Sequence, residues 1–356
     1  MSWKYEWKLR ISTIFWFIGI ILFLLSIPIL LGFSLWAFAV VALMSLIITI
    51  IVCFIVWVVT KRMLQVPLWW IRCFMAISIL LAFPVYYLAS ITQFNPVLIP
   101  QVTMTNGQKT IVFQGMQHVA TEGFYKSVVY DLENSLSQDY VFLYEGVKPS
   151  TPEIDKWFET LITGGESLAD SYELMGSICG LKFQNNYFMR LQKDMLANPT
   201  VYVIADVDTR ELKQEYERLV KTDTEFARTI SERQKPQQDQ STVVEELIER
   251  LRNGSTSQKQ MAGILCRGIM TLVLTKKSPS EADQQLDKLI LNFRNKKLYE
   301  SITTQSENKI YVMYGFEHFK GTYQLLKAED PRWQIMSVKW MRTIDGPEEY
   351  QGNLSL

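Results

Sequence analysis

The chain has 356 residues, with 36 basic and 36 acidic side chains, 48% hydrophobic residues and only two histidines. So much apolar content excludes a disordered polar chain, and a net charge of zero with no basic patch excludes a nucleic-acid partner. The charge is uneven, however: residues 1–100 hold six Lys or Arg and one acid, Glu6, leaving 30 basic and 35 acidic residues beyond them.

Positions 11 to 60 contain no charged residue. A bilayer core is crossed by roughly 20 apolar helical residues, so this stretch predicts two spans, about 11–32 and 35–60. Pro28, Gly32 and Ser34 mark the turn between them. A third apolar stretch, about 68–93, carries Trp69, Trp70, Tyr86 and Tyr87 where interfacial belts would lie. A cleaved leader has one short apolar core and does not account for three spans. Lys4, Lys8 and Arg10 precede the first span, and Lys61, Arg62 and Arg72 flank the loop before the third. The positive-inside rule then predicts an integral membrane protein with a cytoplasmic N-terminus and everything after about residue 95 outside the cytoplasm. The expected organisation is a membrane anchor, 1–94, and an extracytoplasmic domain, 95–356. Cys53 and Cys73 fall in the spans as packing residues. Cys179 and Cys266 are open to two readings, a disulfide or two free thiols.

After a connector through Asn95-Pro96 to Pro100, a strand is expected around residues 109–114. A helix follows over Glu122–Leu136, because Phe124, Val128, Val129, Leu132 and Leu136 share one face. Tyr140–Tyr144 reads as a second strand ended by Glu145-Gly146. Thr151 and Pro152 open another helix as cap and first residue. Val201–Ile204 is a third strand, after which Asp206 and Asp208 are read as caps for a helix from Thr209. Residues 209–300 form a mostly helical, polar insertion, with Ser231–Ser241 as an exposed loop. The last strands are Ile310–Tyr314 and Trp333–Met341. Strand–helix alternation of this kind argues for an α/β fold. Asn253-Gly254-Ser255 and Asn353-Leu354-Ser355 fit a glycosylation acceptor pattern, which carries meaning only in a eukaryotic lumen.

Both histidines occupy one frame: Gly115-Met116-Gln117-His118 and Gly315-Phe316-Glu317-His318, each after a β-branched and aromatic run. Glycine at a strand end lets the backbone turn or approach a neighbour, and the histidine then stands on the sheet rim, where α/β folds place ligands. Imidazole is the commonest metal ligand, and two of them need an oxygen donor to complete a site. Glu145 fits that need, since it too ends an apolar strand. The metal-ligand set read from the chain is therefore His118, His318 and Glu145. A core or surface histidine is the plainer reading of either residue alone.

These pieces, with Arg294-Asn295 before the second motif and Gly315-Phe316-Glu317-His318-Phe319-Lys320-Gly321 closing it, resemble the TraB/PrgY/GumN group that includes the TIKI proteases. The resemblance covers roughly residues 105–345 and leaves out the three spans. It implies an α/β fold of TraB/EreA/ChaN type, a mixed sheet with flanking helices. It also implies a metal-dependent, peptidase-like hydrolase using manganese, cobalt or zinc. By the same resemblance Glu145 would be a ligand or general base. Arg294 would stabilise an oxyanion or bind a carboxylate, and Asn295 would orient a neighbour. Asp206 and Asp208 echo an acidic pair of the family. Gly146 stands where the family commonly has leucine, and Gly123 where it often has serine. The expected function is membrane-anchored hydrolysis of a peptide or similar amide or ester outside the cytoplasm. The alternatives are a binding protein for a peptide or haem without turnover, and a domain that regulates a membrane partner.

Overall fold

The computed structural model describes residues 3–163, 167–188, 197–233, 253–276 and 281–346. Residues 234–241 of the expected loop and the Asn353 acceptor site lie outside the described residues; Ser231–Arg233 close a helix, Thr224–Arg233. The chain forms two compact units, Met1–Phe94 with Glu246–Ile269, and Asn95–Glu245 with Met270–Leu356.

The first unit contains three helices, α1 (Trp3–Phe33), α2 (Leu35–Thr60) and α3 (Val66–Phe94), long and apolar enough to cross a membrane over Trp7–Phe33, Leu35–Thr60 and Val66–Phe94. Ser34 divides the first two. Its backbone is extended, and its hydroxyl accepts the Ala37 N–H at 2.9 Å, capping α2. The helices also meet through polar contacts, which supplement van der Waals packing where water is absent. Trp70 Nε1 donates to Ala42 O at 3.1 Å and Ser45 Oγ at 3.0 Å, and the Tyr86 hydroxyl donates to Leu25 O at 2.7 Å. The first part of a later helix, Thr256–Lys276, joins this unit.

The second unit is built on a mixed six-stranded sheet. Its strands are β1 (Leu98–Thr105), β2 (Thr110–Met116), β4 (Val141–Tyr144), β6 (Tyr202–Ile204), β7 (Lys309–Gly315) and β8 (Gln334–Arg342), in the order β6-β4-β7-β2-β1-β8. The run β6-β4-β7-β2 is parallel, while β1 lies antiparallel to both β2 and β8. A short pair, β3 (Val119–Ala120) and β5 (Lys182–Phe183), stands apart. Side chains alternate between two apolar layers, as a sheet covered on both faces requires. Ile111, Phe113, Leu143, Ile310 and Val312 pack with Leu298, Ile302 and Leu326. Phe142, Tyr311 and Met313 pack with Phe124, Tyr125, Val128 and Leu132 of α4 (Glu122–Leu136).

The segment expected as a connector continues into β1, where Ile99, Val102 and Met104 are buried. Proline normally argues against an interior strand because it lacks an N–H. Pro100 escapes that conflict: the ladder with β2 begins one residue later, at Gln101–Gln114, and Pro100 faces only Trp340 of β8.

Candidate functional site

The C-terminal ends of the four parallel strands converge. Asp206 follows β6, Glu145 follows β4, the Gly315–His318 frame closes β7, and the Gly115–His118 frame closes β2. The two histidine frames are neighbours in register, Gly115 opposite Tyr314 and Met116 opposite Gly315. The Phe316 N–H donates to Met116 O at 3.2 Å, tying one frame to the other. Thus residues about two hundred positions apart meet at one sheet rim, where α/β proteins gather ligands.

Each motif glycine has its own reason. A Cβ on Gly115 would lie 2.7 Å from Ile99 Cγ2 and 2.8 Å from both Phe316 Cβ and Pro100 O, closer than atoms pack. A Cβ on Gly315 would press on the site itself, 3.3 Å from Glu145 Oε2 and 3.4 Å from His318 Cδ2.

Glu145 is the hub. Its Oε2 accepts the Gly315 N–H at 2.7 Å, and its Oε1 accepts Arg294 Nη2 at 2.6 Å. Burial works to raise its pKa, but Arg294 and then the two imidazoles outweigh that and bring the carboxyl down to about 2. Arg294 opens α12 (Arg294–Thr304), after a π-helical turn over Lys288–Phe293. It also forks onto Asp206, Nε to Oδ1 at 2.9 Å and Nη2 to Oδ2 at 2.6 Å, and its guanidinium lies 5.5 Å from the centre of the Tyr314 ring. Asp206 is buried and accepts the backbone N–H groups of Gly146 and Val207 as well. Its neighbour Asp208 caps α8 (Thr209–Thr222) in a reciprocal box with Glu211. Capping was therefore the right reading for Asp208, while Asp206 belongs to the site.

The two histidines differ. His318, the first residue of α13 (His318–Glu329), is 3% exposed and its Nδ1 lies 2.7 Å from Asn295 Oδ1. An amide oxygen only accepts, so Nδ1 carries the proton and Nε2 keeps its lone pair. Burial first, and then Arg294, lower its pKa to about 4, so the ring is neutral near pH 7. His118 stacks on Tyr172 of α6 (Leu168–Cys179), ring centres 4.4 Å apart, and burial lowers its pKa too. It lines a cavity of about 590 Å³ together with Glu145, Arg294, Tyr172 and Gln184. Most of the remaining wall is apolar, including Phe158, Ile162, Phe183 and Ile290.

Of the five residues expected at one site, the fold pairs Glu145 with Arg294 and His318 with Asn295, and puts His118, Glu145 and Arg294 on one cavity wall, while His318 and Asn295 are buried and do not line it. Sequence reasoning missed Tyr172 and Gln184. Tyr172 lies inside a helix, where no local pattern distinguishes it, while Gln184 follows β5, a strand of two residues that is too short to stand out in the sequence. For Asp206 a signal existed: it follows a strand, as Glu145 does.

Two neutral imidazoles and a carboxylate fit a divalent transition-metal ion in donor type. Among the described residues, no three His, Cys, Asp or Glu side chains are gathered so as to hold one. Glu145 holds Arg294 and the Gly315 N–H instead. Compared with known proteins, the chain matches no protein family, no curated protein and no solved structure.

Proposed function

We propose that this protein is a membrane-anchored, metal-dependent hydrolase of the TraB/PrgY/GumN (TIKI-like) kind, acting on a peptide or similar amide or ester outside the cytoplasm. The observation that carries the reading is a charged carboxylate, Glu145, on the wall of a 590 Å³ cavity, within the electrostatic reach of both histidines. The lysine and arginine bias around the spans supports an extracytoplasmic sheet domain.

His118 and His318 would bind the ion through ring nitrogens and Glu145 through an oxygen. When bound, such an ion supplies a lowered pKa for water and polarises a carbonyl. The chain's own residues do the rest. Asn295 fixes the His318 tautomer, so that Nε2 is the free base. Glu145 stays ionised at neutral pH, the state in which it can hold an ion, although Arg294 makes it a weak base. Arg294 is anchored by Asp206, which lets it face Glu145 and the cavity without moving when charge develops on a substrate oxygen. The apolar wall excludes water around the bond to be broken.

The test is hydrolysis of a peptide library by the full chain in detergent. Activity should disappear on chelation and return with manganese, cobalt or zinc. Glu145→Gln should lose metal content and activity together, as expected on removing an ionised ligand. A His118→Ala chain that keeps full activity and metal content would overturn the reading. The largely apolar wall with one imidazole on it also favours a second function, binding without turnover. Haem added to the purified chain would then give an absorbance band in the Soret region, and wild-type chain would retain peptides uncleaved.

A further inference from the structure

The helix α10 (Thr256–Lys276) lies in the middle of the polar insertion, yet its first part packs with the spanning helices. Gln258 Nε2 donates to Phe33 O, the last residue of α1, at 2.7 Å. One turn on, Met261 Cε lies 2.9 Å from where a Cβ on Gly32 would stand. Gly268 then meets α3 directly: a Cβ there would fall 2.4 Å from Leu88 Cβ. Only glycine permits so close a crossing.

Leu88 sits six residues before the end of α3 at Phe94, or about 9 Å along a helix at 1.5 Å per residue. The helix α10 therefore starts level with the end of α1 and, by Gly268, has reached the flank of a span. That depth matches the roughly 5–10 Å to which interfacial helices sink. Its composition agrees. Between Lys259 and Lys276 the one charged residue is Arg267, and that side chain is 4% exposed. Ile269 is 53% exposed. An uncharged, apolar outer face beside membrane-crossing helices is suited to lipid rather than water.

We propose that α10 is an interfacial membrane helix, with Ile269 immersed in the acyl chains of the leaflet at which α1 ends. The insertion then carries a second membrane attachment, independent of whether the cavity hydrolyses anything. The test places a nitroxide at Ile269→Cys in the full chain with free Cys53 and Cys73 changed to alanine. A label at Lys259→Cys serves as the water-facing reference. In phosphatidylcholine vesicles, the ratio of oxygen to nickel-chelate accessibility should be several-fold higher at 269 than at 259. Nickel access at 269 equal to that at 259 would overturn the proposal. So would low access to both reagents, which would mean that protein covers this face.

Discussion

The two Gly-x-x-His frames share a spelling and a strand-end position but not a job. In the first, glycine serves packing, because Ile99, Pro100 and Phe316 leave no room for a side chain, and its histidine faces the cavity. In the second, glycine serves the site, giving its N–H and its space to Glu145, and its histidine is buried against Asn295. One local motif thus supplies one accessible and one enclosed imidazole. The difference comes from the neighbours: β2 lies between β7 and the antiparallel β1, whereas β7 lies between β2 and the Glu145 strand.

The comparison breaks most clearly at the residue that holds the second frame's carboxylate. Arg294→Leu leaves Asp206 buried and Glu145 without their shared cation, and should cost about 3–5 kcal/mol in denaturant unfolding of the sheet unit. Retention of wild-type stability would mean that the network is not formed.

Acid should act on the second frame in a defined order, tested in chelator-treated protein. An unfolded imidazole titrates near ~6.5, whereas His318 is held to about 4. The unfolded chain therefore binds more protons between those values. Stability is complete above pH 6.5 and falls as pH drops toward 4, by up to about 1.4 kcal/mol per unit. Glu145, held to about 2, contributes stability above its unfolded value near ~4.3 that is lost as pH falls toward 2. Thermal melts across pH 7 to 4 should become shallower in the His318→Gln chain, where His118 is the one imidazole left to titrate, and stay steep in Glu145→Gln.

Smaller effects separate the two imidazoles directly. His318→Ala strands the Asn295 amide and should cost about 1–3 kcal/mol, read from the unfolding midpoint. His118→Ala removes a ring stacked on Tyr172 and should cost only about 0.5–1.5 kcal/mol, while abolishing the hydrolysis proposed above. Equal costs for the two substitutions would erase the distinction. The smallest expected effect is that of Tyr172→Phe. It keeps the stack and should leave stability within about 0.5 kcal/mol of wild type.

Particular residues show why part of this was readable along the chain. The candidate spans at Trp7–Phe33, Leu35–Thr60 and Val66–Phe94 follow from long apolar runs whose few charges, Lys8, Arg10 and Arg72, lie near their starts, which is a local property. The helix Glu122–Leu136 follows from its apolar spacing and its Thr121 cap. Glu145 and both histidines were found because strand ends are visible as breaks in β-branched and aromatic runs. Asp206 was undervalued because a helix cap two residues later, Asp208, offered a sufficient local account of the acidic pair. The strand Leu98–Thr105 was obscured by Pro100, whose cost vanishes only in the actual ladder.

Hydrophobic period, charge-free length and turn chemistry act over a few residues, so the order of amino acids alone set which segments span, pair or cap. The strand order β6-β4-β7-β2 did something that no window of sequence contains. It placed four strand ends side by side, gave Arg294 two carboxylates to hold, and left one imidazole open while enclosing the other. Those outcomes depend on contacts between residues far apart in the chain, 88 and 149 positions for the two carboxylates of Arg294, and long-range pairing is decided by the packing of the whole unit.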